Sequence, residues 1–185
     1  CYYELNRSVI QEPTILEALN IPVLSVLPKV DSLGKGYHLF QMFIEDTKSE
    51  FSEAIRTLRT ILLSKFKKNK TILITSSFPS EGKTTIAFNI SLALAKVNKV
   101  LFVETDIRRP SVLKVLGEEG KKLNGFSDII TGSVDFKTTL YKIPGSELDL
   151  VTSGERRTDL TDVTNLSKLK AFFKLLSNYY DYIVL

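Results

Sequence analysis

Apolar residues recur at helical spacing in some parts of the chain and form short continuous runs in others. Residues 48–64 show the helical spacing, which predicts an amphipathic helix with one buried face. The residues on that face are Phe51, Ile55, Leu58 and Leu62. Glu53 and Arg56 are then expected on the opposite, solvated side of the helix, and Arg59 beside the apolar stripe.

Four continuous apolar runs are predicted to be strands. They are residues 71–75, 100–104, 148–152 and 182–185. Apolar helical patterns separate them at residues 84–97 and 165–178, and this alternation is typical of a parallel sheet covered by helices. We therefore predict an α/β fold in which strand 182–185 is central, because it is apolar at consecutive positions. Three nearby tyrosines are expected to be packed in this region, namely Tyr179, Tyr180 and Tyr182.

The first part of the chain has a different pattern. Residues 1–45 are predicted to be a leader that packs on, or tethers, a main domain formed by residues 46–185. Within the leader we expect a short helix at residues 13–20, an edge strand or extended arm at 21–27 and a loop at 31–36.

Composition restricts the chemistry that this chain is able to perform. Its 185 residues are enough for one domain, and its net charge of +4 is too weak to indicate nucleic acid as a partner. A single cysteine, Cys1, excludes an internal disulfide and a thiolate metal cage, and a single histidine, His38, excludes any mechanism with two imidazoles. A metal ion would be held by oxygen ligands, which favours Mg²⁺. We expect no membrane span and no signal peptide within these residues.

The first predicted strand leads into a segment that is typical of a phosphate-binding loop. It reads Ser76-Ser77-Phe78-Pro79-Ser80-Glu81-Gly82-Lys83-Thr84-Thr85 and precedes a predicted helix. Backbone N–H groups of such a loop bind phosphate oxygens, and Gly82 lets the backbone approach them closely. Lys83 would reach the β- and γ-phosphates, and the Thr84 hydroxyl would ligate Mg²⁺. Ser77 stands where the usual pattern begins with glycine. The expected nucleotide-binding residues are Pro79, Ser80, Glu81, Gly82, Lys83, Thr84 and Thr85.

Two carboxylates follow the second predicted strand. Glu104 and Asp106 are separated by one residue at its carboxyl end, which is the edge where parallel sheets bind ligands. Beside a bound nucleotide, such a pair is able to hold Mg²⁺ and to accept a proton from an attacking hydroxyl group. The sequence leaves open which of the two has which role. Arg108 and Arg109 are able to pair with these carboxylates or with phosphate.

These segments resemble the bacterial protein-tyrosine kinases that control capsule and exopolysaccharide export. The family's Pro-x-Glu-Gly-Lys-Ser/Thr core is matched by residues 79–84, and its Asp-x-Asp-x-Arg-Arg-Pro motif by residues 104–110. Its Glu-x-x-Arg-x-x-Arg helix motif is matched by Glu53, Arg56 and Arg59, and residues 21–28 look like the family's segment after the second membrane helix.

The resemblance implies an ATP-dependent tyrosine autokinase with a P-loop NTPase-like fold and with ATP or ADP and Mg²⁺ as ligands. It implies Lys83, Asp106 and Glu104 as catalytic residues, and Thr84 and Asp106 as metal ligands. It also implies self-association into a ring through the Glu53, Arg56 and Arg59 helix, with the tyrosine-rich tail of a neighbouring subunit as substrate. The same likeness implies polysaccharide export components as partners. It also implies a location at the cytoplasmic face of the bacterial inner membrane, through segments outside this chain.

Two features depart from the family pattern. Glu104 replaces the first Asp of the second motif, and residues 180–185 look like the family's third-motif strand without its terminal Asp. We therefore expect that residues 1–185 alone would bind Mg²⁺-nucleotide poorly and would not phosphorylate tyrosine. A nucleotide-gated oligomerisation module of the export machinery, with weak or no kinase activity, is the alternative interpretation. A partitioning-type ATPase is disfavoured because Phe78 stands at the position of its early loop lysine.

Overall fold

Helices and strands alternate along the chain, as the apolar pattern predicts. The computed structural model describes residue 20 and residues 22–30, 41–66, 70–115, 123–155 and 166–185. The helices are α1 (Met42–Glu45), α2 (Glu50–Lys65), α3 (Lys83–Ala95), α4 (Val112–Val115), α5 (Phe126–Thr131) and α6 (Leu166–Leu176), with a 3₁₀ turn at Phe136–Thr139. The strands are β1 (Lys70–Ile72), β2 (Val100–Val103), β3 (Tyr141–Lys142), β4 (Asp149–Val151) and β5 (Tyr182–Val184).

The strands form one sheet in the order β1-β5-β2-β4-β3. Pairs β1–β5, β2–β5 and β2–β4 are parallel, and the short edge strand β3 is antiparallel to β4. The prediction that the last strand is central is confirmed, because β5 lies between β1 and β2. Its position brings Leu185, at the carboxyl end of β5, beside the loop that follows β1, where the Ile74 N–H donates to the Leu185 carbonyl at 3.0 Å.

Helices cover both faces of this sheet. Alternate strand residues such as Phe102 and Val184 face one cluster with α1, α2 and α3, whereas Leu101 and Ile183 face a second cluster with α5 and α6. Burial on both faces explains why the strands are continuously apolar. The α/β fold with a mostly parallel sheet is therefore as predicted.

Helix α2 packs its apolar stripe against helix α3. Phe51, Ile55 and Leu62 of α2 are buried, and Leu58 is partly buried against the same cluster. Helix α2 begins at a capped position, since the Ser49 hydroxyl accepts a hydrogen bond from the Ser52 N–H at 3.2 Å. The amphipathic helix predicted at residues 48–64 is confirmed.

The described leader residues pack on this core. Residues 22–30 contain no helix or strand, so the edge strand is not formed there and the extended arm stays a prediction; Leu24 and Leu27 are partly buried. Met42 and Phe43 of α1 are buried, and the Phe43 N–H donates to Asn89 Oδ1 in α3 at 2.9 Å. The boundary at residue 45 stays a prediction. The helix expected at residues 13–20 and the loop expected at 31–36 lie outside the described residues.

The packing prediction for the three tyrosines is correct for two of them. Tyr180 and Tyr182 are buried, and their hydroxyls donate to Asp149 Oδ2 at 2.9 Å and to the Phe66 carbonyl at 3.2 Å. Tyr179 is 65% exposed, so the prediction is wrong for this residue. It lies in the turn that ends α6, where its N–H donates to the Leu176 carbonyl and its ring faces solvent.

None of the helices in the described ranges is long and apolar enough to cross a membrane.

Candidate nucleotide-binding site

The loop between β1 and α3 is braced by hydrogen bonds between its own residues. The Phe78 N–H donates to Glu81 Oε2 at 3.0 Å, and the Ser76 hydroxyl donates to the Phe78 carbonyl at 2.9 Å. Glu81 therefore shapes the loop, and it does not line the groove described below. The loop leads directly into the N-terminus of α3, where N–H groups without a partner in the helix favour anions.

Gly82 caps helix α3 in a left-handed conformation with φ +88°. Ser80 also has a positive φ of +66°, which is uncommon for a residue with a side chain. A Cβ atom at Gly82 would meet nothing within 4 Å. The requirement for glycine therefore comes, within the described residues, from the backbone conformation, and the expected close approach of phosphate adds to it.

A groove of about 370 Å³ lies between this loop and the residues after β2. Its lining consists of Pro79, Ser80, Gly82, Lys83, Thr84, Thr85, Asp106, Arg109 and Ser111. Lys83 Nζ lies 3.7 Å from Asp106 Oδ2, and each side chain is about one third exposed, 32% for Lys83 and 37% for Asp106. The Arg109 N–H donates to the other Asp106 oxygen, Oδ1, at 3.0 Å. The groove therefore brings the Lys83 ammonium and the Asp106 carboxylate to the same space, with Arg109 also in its lining.

Glu104 is placed differently from Asp106 although it lies only two positions earlier. It is 4% exposed, and its Oε1 accepts hydrogen bonds from the Ser111 N–H at 2.6 Å and the Val112 N–H at 2.9 Å. Its Oε2 accepts from the Ser153 N–H at 3.2 Å. Burial raises the pKa of the Glu104 carboxyl, while the hydrogen bonds from Ser111, Val112 and Ser153 act in the opposite direction.

The residues beside the groove are of the kind that Mg²⁺ uses with a nucleotide. A cavity of about 60 Å³ is lined by Lys83, Thr84, Glu104, Asp106 and Leu185, among others. The described residues contain no group of three or more His, Cys, Asp or Glu side chains that would hold a metal alone. Mg²⁺ bound with substrate phosphates needs only one or two carboxylates and keeps several waters. The hydroxyl of Thr84 and the carboxylate of Asp106 fit that requirement.

The expected subunit-contact residues of α2 lie apart from this site and are partly used within the chain. Glu53 is exposed and forms an ion pair with Arg56. Arg56 also donates to the Thr47 carbonyl at 2.6 Å, and its guanidinium lies 5.6 Å from the Phe43 ring centroid. The prediction that these residues lie on the solvated side of α2 is therefore right for Glu53. It is incomplete for Arg56, because the α1 segment covers part of this side chain. That segment shows no clear helical period in the sequence. Arg59 flanks the stripe as predicted and donates to the Ala93 carbonyl at 3.4 Å.

Sequence reasoning missed two residues that shape the site. Ser111 and Ser153 supply N–H groups to Glu104 from distant parts of the chain. A serine before an apolar run is a helix-start signal, which identifies Ser111 as the start of α4. No sequence pattern indicates that Ser153 approaches Glu104.

The loop after β1, the lysine that begins α3 and the carboxylate in the loop after β2 define a P-loop NTPase-like domain. The crystal structure of the chimeric protein CapA2B2 matches with a TM-score of 0.77 at 25% identity, covering 94% of this chain and 74% of that one. The septum site-determining protein MinD of Pyrococcus horikoshii, solved with Mg-ADP, matches with a TM-score of 0.52 at 26% identity, covering 62% of this chain and 47% of MinD.

Relatives identified by sequence indicate the family within the P-loop NTPase-like proteins to which this chain is similar. AmsA of Erwinia amylovora, which bears the name of a tyrosine-protein kinase, is 32% identical over 136 residues, covering 72% of this chain and 18% of AmsA. The tyrosine-protein kinase CpsD of Streptococcus pneumoniae serotype 4 is 29% identical over 119 residues, covering 64% of this chain and 52% of CpsD. The chain thus spans one part of these longer relatives. No family model matches the chain. On these relatives and the CapA2B2 match, the chain belongs to the bacterial protein-tyrosine kinase family.

Proposed function

We propose that this chain is the catalytic domain of an ATP-dependent protein-tyrosine kinase that phosphorylates itself and neighbouring subunits. The observation that carries the proposal is the position of Lys83 and Asp106 on opposite sides of one groove, 3.7 Å apart, at the N-terminus of a buried helix. A cation, free helix N–H groups and a carboxylate in one groove are the parts that phosphoryl transfer from a nucleotide requires. Membership of the tyrosine kinase family selects tyrosine as the acceptor.

Each group in the groove has a role in this reaction. The loop N–H groups and the Lys83 ammonium bind the β- and γ-phosphates and neutralise their charge. Thr84 and Asp106 would hold Mg²⁺, which would supply positive charge to offset the negative charge of the transferred phosphoryl group. The γ-phosphoryl group passes in line from ATP to a tyrosine oxygen, ADP leaves, and a carboxylate receives the phenol proton. Asp106 and Glu104 are the two candidates for that proton acceptor.

The biological setting of the proposal follows from the relatives. CpsD and AmsA are tyrosine-protein kinases by name, and the proposed role is regulation of capsular or exopolysaccharide polymerisation and export. In this setting the α2 residues Glu53, Arg56 and Arg59 join subunits into a ring, and tyrosines in the tail of a neighbouring subunit are the acceptors. Residues 1–45 connect the domain at residues 46–185 to the cytoplasmic face of the bacterial inner membrane.

The proposal is tested by incubating the protein that contains this chain with Mg²⁺ and γ-labelled ATP and detecting phosphotyrosine. We expect label on tyrosine in the unaltered protein and in a Lys96→Met control, which removes an exposed lysine far from the groove. Lys83→Met is expected to abolish labelling. Assembly that depends on ATP without any phosphotyrosine would instead support the nucleotide-gated oligomerisation module.

A further inference from the structure

One buried carboxylate closes the loop that carries Asp106. Glu104 directly follows β2, and its N–H donates to the Val151 carbonyl at 2.9 Å. Its side chain then accepts hydrogen bonds from Ser111 and Val112, at the other end of the same loop, and from Ser153 after β4. Residues 105–110 are thereby fixed at both ends, and the loop after β4 is tied to them.

We propose that Glu104 is a positioning residue, which holds the loop of Asp106 opposite Lys83, and is not the carboxylate that receives the tyrosine proton. The effect of this positioning on the reaction rests on the proposed phosphoryl transfer, in which Asp106 would hold Mg²⁺. The positioning by Glu104 rests on hydrogen bonds alone.

The hydrogen-bond capacity of Glu104 is already used. A carboxylate has about four lone-pair sites. Three accept the backbone N–H groups of Ser111, Val112 and Ser153, and the Ser111 hydroxyl lies at 3.5 Å from Oε1. A proton acceptor must be within hydrogen-bond reach of the hydroxyl that it deprotonates. Glu104 would have to give up backbone partners to do so, at a position where it is only 4% exposed.

Asp106 has the opposite environment. Its side chain is 37% exposed, lines the groove and has Oδ2 directed toward Lys83. Its other oxygen accepts from the Arg109 N–H, a bond within the loop that Glu104 closes. Any displacement of residues 105–110 therefore displaces Asp106 relative to Lys83, which is how a residue without contact to the substrate changes the reaction.

The extra methylene of Glu104 suits this positioning role. The Glu104 side chain must reach from the end of β2 to the N–H groups at the start of α4. Its Oε1 accepts hydrogen bonds there from Ser111 at 2.6 Å and from Val112 at 2.9 Å. The replacement of the family's first Asp by Glu is thus accompanied by a set of backbone contacts that use its length.

The test compares Glu104→Gln, Glu104→Ala and Asp106→Asn in the protein that contains this chain, with Glu147→Gln as a control for loss of one exposed carboxylate. Three quantities are measured: hydrogen exchange of the amides in residues 105–112, affinity for ADP with and without Mg²⁺, and phosphotyrosine formation. Glutamine keeps an acceptor oxygen for Ser111 and Val112, whereas alanine keeps none. Near-UV circular dichroism of Glu104→Gln establishes that this variant is folded.

We expect hydrogen exchange at the Ser111 and Val112 amides to be faster in Glu104→Ala. Protection from exchange should be largely retained in Glu104→Gln and unchanged in Asp106→Asn. The Mg²⁺-dependent part of ADP affinity and the rate of transfer should fall about 10- to 100-fold in Glu104→Ala and be partly rescued in Glu104→Gln. Asp106→Asn should abolish transfer. If Glu104→Gln abolishes transfer as completely as alanine does while exchange and ADP affinity stay normal, Glu104 is the proton acceptor and the inference is wrong.

The two proposals fail in distinguishable ways. Absence of phosphotyrosine in the unaltered protein contradicts the proposed kinase function, yet the exchange comparison still decides whether Glu104 closes the loop. Unchanged exchange at Ser111 and Val112 in folded Glu104→Ala contradicts the positioning role, whatever the activity of the protein.

Discussion

Lys83 Nζ and Asp106 Oδ2 face each other at 3.7 Å across a groove that is open to solvent. Because each side chain is about one third exposed, water screens their attraction, and such pairs contribute only ~0–1 kcal/mol to stability. Little free energy is therefore needed to separate them. A nucleotide phosphate is able to replace Asp106 as the partner of Lys83 and to leave Asp106 free for Mg²⁺.

This relationship predicts different effects for the two partners. Lys83→Met should lower ADP affinity by about tenfold or more both with and without Mg²⁺, because a charge-assisted bond to phosphate is lost in either case. Asp106→Asn should lower it only in the presence of Mg²⁺. Isothermal titration calorimetry with and without a chelator measures both, with Lys96→Met as the control. Equal losses for Asp106→Asn in the two conditions would contradict its assignment as a metal ligand.

Gly82→Ala separates backbone strain from function. Gly82 and Gly132 both have positive φ, +88° and +78°, and an added Cβ meets nothing within 4 Å at either position. Each alanine should therefore lower the free energy of unfolding by about 1 kcal/mol through backbone strain alone. We expect only Gly82→Ala to weaken nucleotide binding as well. Urea unfolding and ADP titration of both variants measure this, and equal ADP affinity in the two would contradict a phosphate-binding role of the loop.

The buried tyrosine before β5 predicts a pH-dependent effect on stability. Burial and the hydrogen bond to Asp149 raise the pKa of Tyr180 well above its usual value of 10.0. The unfolded chain therefore loses this proton at a lower pH than the folded chain, and the stabilisation by Tyr180 is lost as the pH rises above 10.0. Tyr180→Phe should cost about 1 kcal/mol at neutral pH.

Tyr179→Phe is the matched control, because this neighbouring hydroxyl is on a ring that is 65% exposed. It should leave stability unchanged at neutral pH. Urea unfolding at neutral and alkaline pH compares the two variants. If Tyr180→Phe and Tyr179→Phe behave alike at every pH, the hydrogen bond to Asp149 contributes nothing to stability.

The parts of the fold that could be predicted from the sequence are those with a strong local signal. Helix α3 is apolar on all sides and β5 is continuously apolar, and both occur where the pattern indicates. The edge strand β3 was missed because its residues, Tyr141 and Lys142, form a two-residue strand that only pairing with β4 stabilises. Helix α1 is also short, with four residues, and it exists because Met42 and Phe43 pack on α2 and α3.

The site shows the same division. Lys83 and Gly82 could be predicted from their place after a buried strand, since the strand–loop–helix order itself determines their position. The different environments of Glu104 and Asp106 could not be predicted, because they depend on Ser111 and Ser153. These partners approach Glu104 only when the chain is folded, and spacing within the motif carries no information about them.

The last prediction concerns the three charged residues of α2. Changing all three to alanine would not separate an effect on assembly from an effect on stability. Arg56 also has contacts within the chain, because it donates to the Thr47 carbonyl and lies over the Phe43 ring. Arg56→Ala should cost roughly 1–2 kcal/mol through the lost hydrogen bond and cation–π contact. Glu53→Ala should cost only about 0.2–0.5 kcal/mol, since it removes one exposed ion pair.

Glu53→Ala is therefore the sharper test of subunit contact. If α2 joins subunits, multi-angle light scattering should show smaller species for Glu53→Ala while thermal unfolding stays close to that of the parent. Phe43→Leu is the control for Arg56, because it removes the same aromatic contact from the other side, and its effect on stability should be less than additive with Arg56→Ala. If assembly changes only in those variants that also lose stability, Arg56 acts by holding α1 on α2. The proposal that α2 contacts a neighbouring subunit directly is then wrong.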